Sequence, residues 1–287
     1  MLLELWEWLT TPASSLARKS GLLYEAIALR HRAQRCAQNW HTHIVQCHAH
    51  VHQAMASLKK HDVVVVMGSG LLLEVPIDAL VQNFGKVILI DMVHLKPVRQ
   101  LAKQHSNIQL IEADLSGNLA ALTNWKEGCA LPEFTPPTLP LEQADLIISA
   151  NLLSQLKQPA KKFLGDKLDA ETVEQFQKNL VQSHWHWLIQ LPGKKLIFSD
   201  VESQFFNANG DMMQSESSVL GPLPRPDLSW WWNVAPVGEI APDFGQLMKM
   251  NAWLFEAVME QSTKNLVQLS HYKKYRHKKE RRMKSEI

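Results

Sequence analysis

Cysteine is scarce in this chain of 287 residues: Cys36, Cys47 and Cys129 are an odd number with no CxxC spacing. This argues against a disulfide framework and against a thiolate zinc site, and it fits a reducing compartment, so the cytoplasm is the expected location. Long apolar runs are missing too. No uncharged stretch approaches the roughly 18 residues of a membrane span, and the first residues, MLLELWEWLTTP, lack a basic n-region and carry Glu4 and Glu7, which is not the pattern of a signal peptide. What is present, 46% hydrophobic and 20% charged residues, is the composition of a folded globular protein. The net charge of +2 hides an asymmetry. Eight Lys and Arg face only Glu280 between 273 and 284, so the body is mildly acidic and the C-terminal tail strongly basic.

From Ser20 to Leu58 apolar residues recur at helical spacing, which predicts one long helix or two consecutive ones ahead of any sheet. The period changes at Val63-Val64-Val65-Val66-Met67, a β-branched run bounded by Gly68-Ser69-Gly70, with the composition of a strand buried on both faces. A helix from near Val75 to Phe84 is expected next, with Pro76 in its first turn. A strand over Lys86 to Ile90 ending in Asp91, a helix from Pro97 to His105, and a strand over Ile108 to Ile111 ending near Asp114 come after it. A proline-rich loop leads to a fourth strand at Ala144 to Ser149, a helix over Asp169 to Leu191 and a fifth strand at Lys195 to Ser199. Later, one or two strands are expected around Trp230-Trp231-Trp232, and Phe244 to Leu269 reads as a closing helix.

Strands alternating with helices through short connections require parallel pairing with right-handed crossovers. The expected fold is therefore α/β, a doubly wound, mostly parallel sheet with an N-terminal helical extension. The expected division is 1–60 as a helical extension or cap, 61–270 as a Rossmann-like cofactor-binding domain, and 271–287 as a basic, disordered tail.

Ligands of such sheets bind beyond the carboxyl ends of the strands, at the switch point. Gly68, Ser69 and Gly70 sit at one such end; Asp91, 21 residues after Gly70, ends the second strand, where a carboxylate can accept from a ribose diol. Asp114 ends the third. Either acid could instead cap the helix that follows it.

In VVVVMGSG (63–70), VILID (87–91), IQLIEADL (108–115) and ADLIISANLLSQL (144–156), about a third of the chain, the sequence resembles the class I S-adenosylmethionine-dependent methyltransferases. The resemblance implies a Rossmann-like methyltransferase fold and S-adenosylmethionine as cofactor, with S-adenosylhomocysteine as product. It places Gly68, Ser69 and Gly70 against the methionine part, Asp91 with the neighbouring Met92 at the ribose, Asp114 and Leu115 at the adenine, and Asn151 near the transferred methyl group. The chain departs from the pattern at Val66, where the family usually has an acid, and at Leu72, where it often has a third glycine. Glu74 is the candidate to replace the missing polar contact. A nicotinamide dinucleotide reading shares the glycines and the acid, but it needs a small residue where Leu73 stands.

The methyl acceptor is not legible, and neither is a catalytic set; methyl transfer needs mainly alignment. Val66 and Leu72 support a second reading, a non-catalytic binding or scaffold protein that keeps the fold without the cofactor. A third is an RNA-directed methyltransferase using the basic tail to grip phosphates. His48 and His52 stand at metal-ligating spacing, but no acid lies between Arg30 and His61 to complete a site, and partly exposed helix histidines with no metal are the expectation. His94 and Asp200 are further polar residues expected near the pocket mouth. Trp230 and Trp232 share one face of a strand and Trp231 the other, as a strand covered on both sides needs.

Overall fold

The computed structural model describes residues 2–256. The tail at 271–287, and the part of the expected closing helix beyond 256, lie outside the described residues.

Four helices come first: α1 (Leu2–Thr10), α2 (Ser15–Ser20), α3 (Leu22–Arg35) and α4 (Ala37–Ala56). The helical stretch is thus two consecutive helices, broken at Cys36. Then follow β1 (Val63–Met67), α5 (Ile77–Asn83), β2 (Lys86–Asp91), α6 (Lys96–Gln104), β3 (Ile108–Glu112), α7 (Leu119–Asn124) and β4 (Leu146–Ala150). A 3-10 turn at Leu153–Gln155 leads into α8 (Lys157–Leu164), α9 (Ala170–Gln190), β5 (Lys194–Asn207), β6 (Met212–Ser217), β7 (Leu228–Ala235) and β8 (Phe244–Phe255).

The strands lie in the order β3-β2-β1-β4-β5-β8-β7, with β6 paired to β5. The first five pair in parallel, and β8 runs antiparallel between β5 and β7. From β1 the chain steps outward through β2 to β3, then returns to place β4 on the other side of β1. The switch point is therefore between β1 and β4. This is the doubly wound α/β fold that the alternation requires.

Alternation within the strands sets the two faces, because successive side chains point to opposite sides. Val63, Val65, Met67, Ile88, Ile90 and Ile147 turn to a core closed by α7, α8 and α9. Val64, Val66, Val87, Leu89, Leu146 and Ile148 turn to a core holding Cys47, Val51 and Met55 of α4 together with Leu80 of α5 and Val98 of α6. Val66 is fully buried in this second core.

Two expectations are corrected. Phe244 onward is not a helix but strand β8, paired with β5 from Lys195↔Phe255 to Asn207↔Phe244. Leu247, Met248, Lys249 and Met250 favour helices, but that preference amounts to only tenths of a kcal/mol per residue and yields to a long partner strand on each side. β7 is also not covered on both faces: Trp232 is buried and Trp230 half-buried, while Trp231 is exposed, because β7 is the sheet edge and α4 covers only one side.

The amino ends of β1 and β4 are tied together by Asp145, whose Oδ2 accepts from the backbone N–H groups of Asp62 at 2.7 Å and Val63 at 2.9 Å. Replacing Asp145 by Ala is expected to lower unfolding free energy by about 1–2 kcal/mol, the usual loss when charge-assisted hydrogen bonds leave their donors unpaired. Urea denaturation midpoints would show it, with Asp145→Asn recovering part of the loss.

Candidate functional site

At the carboxyl end of β1 the chain turns sharply, and hydrogen bonds pin the turn to β2. Gly68 and Ser69 both donate their backbone N–H to the Ile90 carbonyl, at 2.9 and 3.2 Å, and Gly70 donates its own to Asp91 Oδ2 at 2.8 Å. Gly68 has φ +72°, and a Cβ there would lie 2.8 Å from the Ala150 carbonyl oxygen of β4, so only glycine passes this close to the switch point. Among the described residues other than Gly70 and its chain neighbours, the only atom within 4 Å of such a Cβ at Gly70 is the Gly68 carbonyl oxygen, 3.8 Å away, so that side of the turn is open. The Ser69 hydroxyl is buried and has no hydrogen-bond partner among the described residues.

Asp91 accepts a second, longer bond from Val93 N–H at 3.3 Å through Oδ1, so each carboxylate oxygen keeps a free lone pair. Burial raises its carboxyl above the usual range, against the pull of the Gly70 N–H and of His94. His94 is fully buried and donates through Nε2 to the Ile111 carbonyl at 3.1 Å, and burial lowers its pKa. Met92 packs with Leu71 against a cluster of Ala17, Leu23, Ile27, Val93 and Leu95, so α2 and α3 close over the region beside the turn.

The structure brings Gly68, Ser69, Gly70 and Asp91 into one hydrogen-bonded unit, with Met92 alongside. The other candidates carry local duties. Asp114 caps the start of α7: Oδ1 accepts from Ser116 N–H at 2.9 Å and from its hydroxyl at 2.5 Å, and Oδ2 accepts from Leu119 N–H at 2.7 Å. Leu115 is buried in the core under α9. Asn151 holds φ +47°, and its carboxamide oxygen accepts from Asp200 N–H at 2.9 Å, linking the end of β4 to the middle of β5. Asp200 is itself buried, bonded to the Ser154 hydroxyl, and burial raises its carboxyl.

No protein-family model matches the chain, and no curated protein matches it. Among solved structures, similarity is found to 1,6-didemethyltoxoflavin-N1-methyltransferase of Burkholderia thailandensis, bound to 1,6-didemethyltoxoflavin and S-adenosylhomocysteine. That match has 10% identity, 84% of this chain and 92% of the other covered, and TM-score 0.41. A SAM-dependent methyltransferase of Leishmania major matches at 13% identity over 87% of this chain and 82% of its own, TM-score 0.31. An O-methyltransferase family protein of Burkholderia thailandensis matches at 13% identity over 72% and 51%, TM-score 0.33. The fold class rests instead on the strand order of this chain.

The three leucines after the turn fan into three different cores. Leu71 joins the cluster under α2 and α3, Leu72 the core with α4, and Leu73 a cluster of Trp40, Trp232, Val234 and Met250. Leu72 has φ +61°, a strained conformation for a side chain with a Cβ.

Glu74 is tied to α4 by a hydrogen bond, Oε1 accepting from His43 Nε2 at 3.0 Å. His43 is 1% exposed, which corrects the expectation of partly exposed helix histidines. Trp230 and Trp232 explain it: Trp232 stacks on the imidazole with centroids 4.1 Å apart, and Trp230 Nε1–H donates to Nδ1 at 3.1 Å. His43, Cys47 and Glu74 place one donor atom each within 4.8 Å of one another. Because Trp230 donates to Nδ1, the ring proton sits on Nε2 and faces Glu74, so Trp230, His43 and Glu74 form a hydrogen-bonded relay that anchors the loop after β1. Burial, reinforced by Glu74, pushes the Cys47 thiol up, which keeps it neutral. A sequence signal existed: Trp40, Cys47, Val51 and His43 share the apolar face of α4 at helical spacing. His48, half of the pair at i, i+4, bonds the Leu73 carbonyl at 2.8 Å, while His52 is exposed.

Proposed function

We propose that the chain binds S-adenosylmethionine at the carboxyl ends of β1, β2 and β3 and is a methyltransferase-like protein, with its acceptor open. The observation that carries this reading is the 2.8 Å bond between Gly70 N–H and Asp91. It sets a turn with an open side against a carboxylate whose remaining lone pairs suit a ribose diol. The unpartnered Ser69 hydroxyl supplies a further polar contact for the methionine part. Asp114 then borders the adenine through adjacent backbone, since its oxygens serve α7. Residues 1–60 contribute the cap, and α2 and α3 in particular shield the cofactor from water.

A second reading, a binding protein of the same fold that has lost the cofactor, is favoured by one specific arrangement. Glu74 is engaged by His43, and Leu72 is buried where a glycine would leave room. Calorimetric titration of the folded chain with S-adenosylhomocysteine separates the two. The first reading expects a dissociation constant in the micromolar range, roughly −8 kcal/mol. No heat and no shift in melting temperature at millimolar ligand would leave the second.

A further inference from the structure

A concavity lies away from the glycine turn and shares none of its residues. It is a cleft of about 790 Å³ between α9 and the segment 131–134, with Asn118 on its wall. Glu133, Asp169 and Glu171 line it beside Phe134, and among the described residues no Lys or Arg does. Asn118 is 4% exposed; its carboxamide oxygen is turned to the Ser116 hydroxyl, and its Nδ2 has no partner among the described residues. The cleft thus offers three carboxylates and an unused amide donor, which together suit a peptide carrying cationic side chains and backbone carbonyls.

Such a peptide exists on the same chain. We propose that the basic segment 273–284 docks in this cleft. Its eight Lys and Arg against one Glu complement a body whose remaining residues are net acidic. Reach agrees with this. The described chain ends at Glu256, and the neighbouring Phe255 ring lies 5.7 Å from that of Trp185 on α9, two residues from Ser183 at one end of the cleft. From Ser183 to Asp169 the helix runs about 21 Å at 1.5 Å per residue. Residues 257–272 join Glu256 to the basic segment, and a coil of that length spans about 22 Å. A linker matched to its span gives the highest effective concentration, so modest contacts suffice. Occupied in this way, the segment is withheld from phosphate-bearing partners.

The test is zero-length carboxyl–amine cross-linking of the intact chain at low ionic strength, read by mass spectrometry. A mixture of isotope-labelled and unlabelled chains separates contacts within a chain from contacts between chains. Cross-links from Lys273, Lys274, Lys278 and Lys279 are expected to concentrate on Glu133 and Glu171 within one chain. They should fade at 1 M salt, where the screening length falls to about 3 Å. E133K/E171K should abolish them and speed tryptic cleavage of the segment severalfold, while E133Q/E171Q gives an intermediate result; both residues are exposed, and melting curves verify the fold. Asp169 stays untouched because it caps α9. Cross-links spread evenly over the surface carboxylates, or found mainly between chains, would overturn the proposal. So would protection of the segment by an added oligouridylate that E133K/E171K leaves unchanged.

Discussion

Lowering the pH from 7.5 to 4.5 is expected to strip about 2–3 kcal/mol from folding stability through His184 alone. The residue is fully buried on α9, its ring edge-on to Phe134 and Trp187, and neither ring nitrogen makes a well-aligned hydrogen bond among the described residues. Burial pushes its pKa down to about 3, with the Leu115 backbone offsetting only part of that effect. The folded pKa lies below the ordinary 6.5, so under acid conditions the unfolded chain takes up the proton first. Stability is full above 6.5 and falls by about 1.4 kcal/mol per pH unit below it. His50 and His94, also lowered by burial, act in the same direction. Asp91 and Asp200 oppose them, because carboxyls raised by burial bind protons more tightly in the folded state and gain stability as pH falls. His184→Leu isolates the contribution: urea midpoints for the two proteins should diverge below pH 6.5. Parallel curves down to pH 4.5 would rule out a buried neutral imidazole.

His184 also illustrates what a sequence can and cannot disclose. Helical spacing places it on the opposite side of α9 from His186, and the structure agrees, burying one and exposing the other. The aromatic wall around it depends on Phe134, from a loop that carries no periodic signal. The same division holds across the fold. β1, β2 and β4 are legible because a parallel strand buried on both faces is written as a short apolar run, bounded by polar residues. α7 and α8 are missed because each is short, and α8 carries Pro159 in its first turn, where it reads as loop. β8 is missed because its strand character comes from its neighbours, β5 and β7. At the candidate site, Gly68, Ser69, Gly70 and Asp91 are legible because one βα turn and the next strand end fix their relation. The Glu74–His43–Trp230 relay is not, since three distant segments meet there only once β7 has packed on α4.

Asp91→Asn is expected to weaken S-adenosylhomocysteine binding by about 2–3 kcal/mol, a loss of thirtyfold or more, while leaving the melting temperature equal or higher. The opposite signs follow from two facts about the same carboxylate. Burial disfavours its charged form, so neutralising it relieves a cost of folding. Asn keeps one carbonyl oxygen for Gly70 N–H, so the turn retains its shorter anchor and gives up only the 3.3 Å bond from Val93 N–H. A ribose diol, in contrast, needs two acceptors, and Asn presents an N–H₂ where the second oxygen stood, removing a charge-assisted bond and leaving a buried hydroxyl without its acceptor. A residue retained for folding would lose stability on replacement; one retained for a ligand gains stability and loses affinity. A lower melting temperature with unchanged affinity would make Asp91 a structural brace for the glycine turn and remove the ribose from this end of the sheet. An equal or higher melting temperature with no affinity in either protein would leave a buried charge without a ligand to account for it, and would favour a descendant that has kept the turn after losing the cofactor.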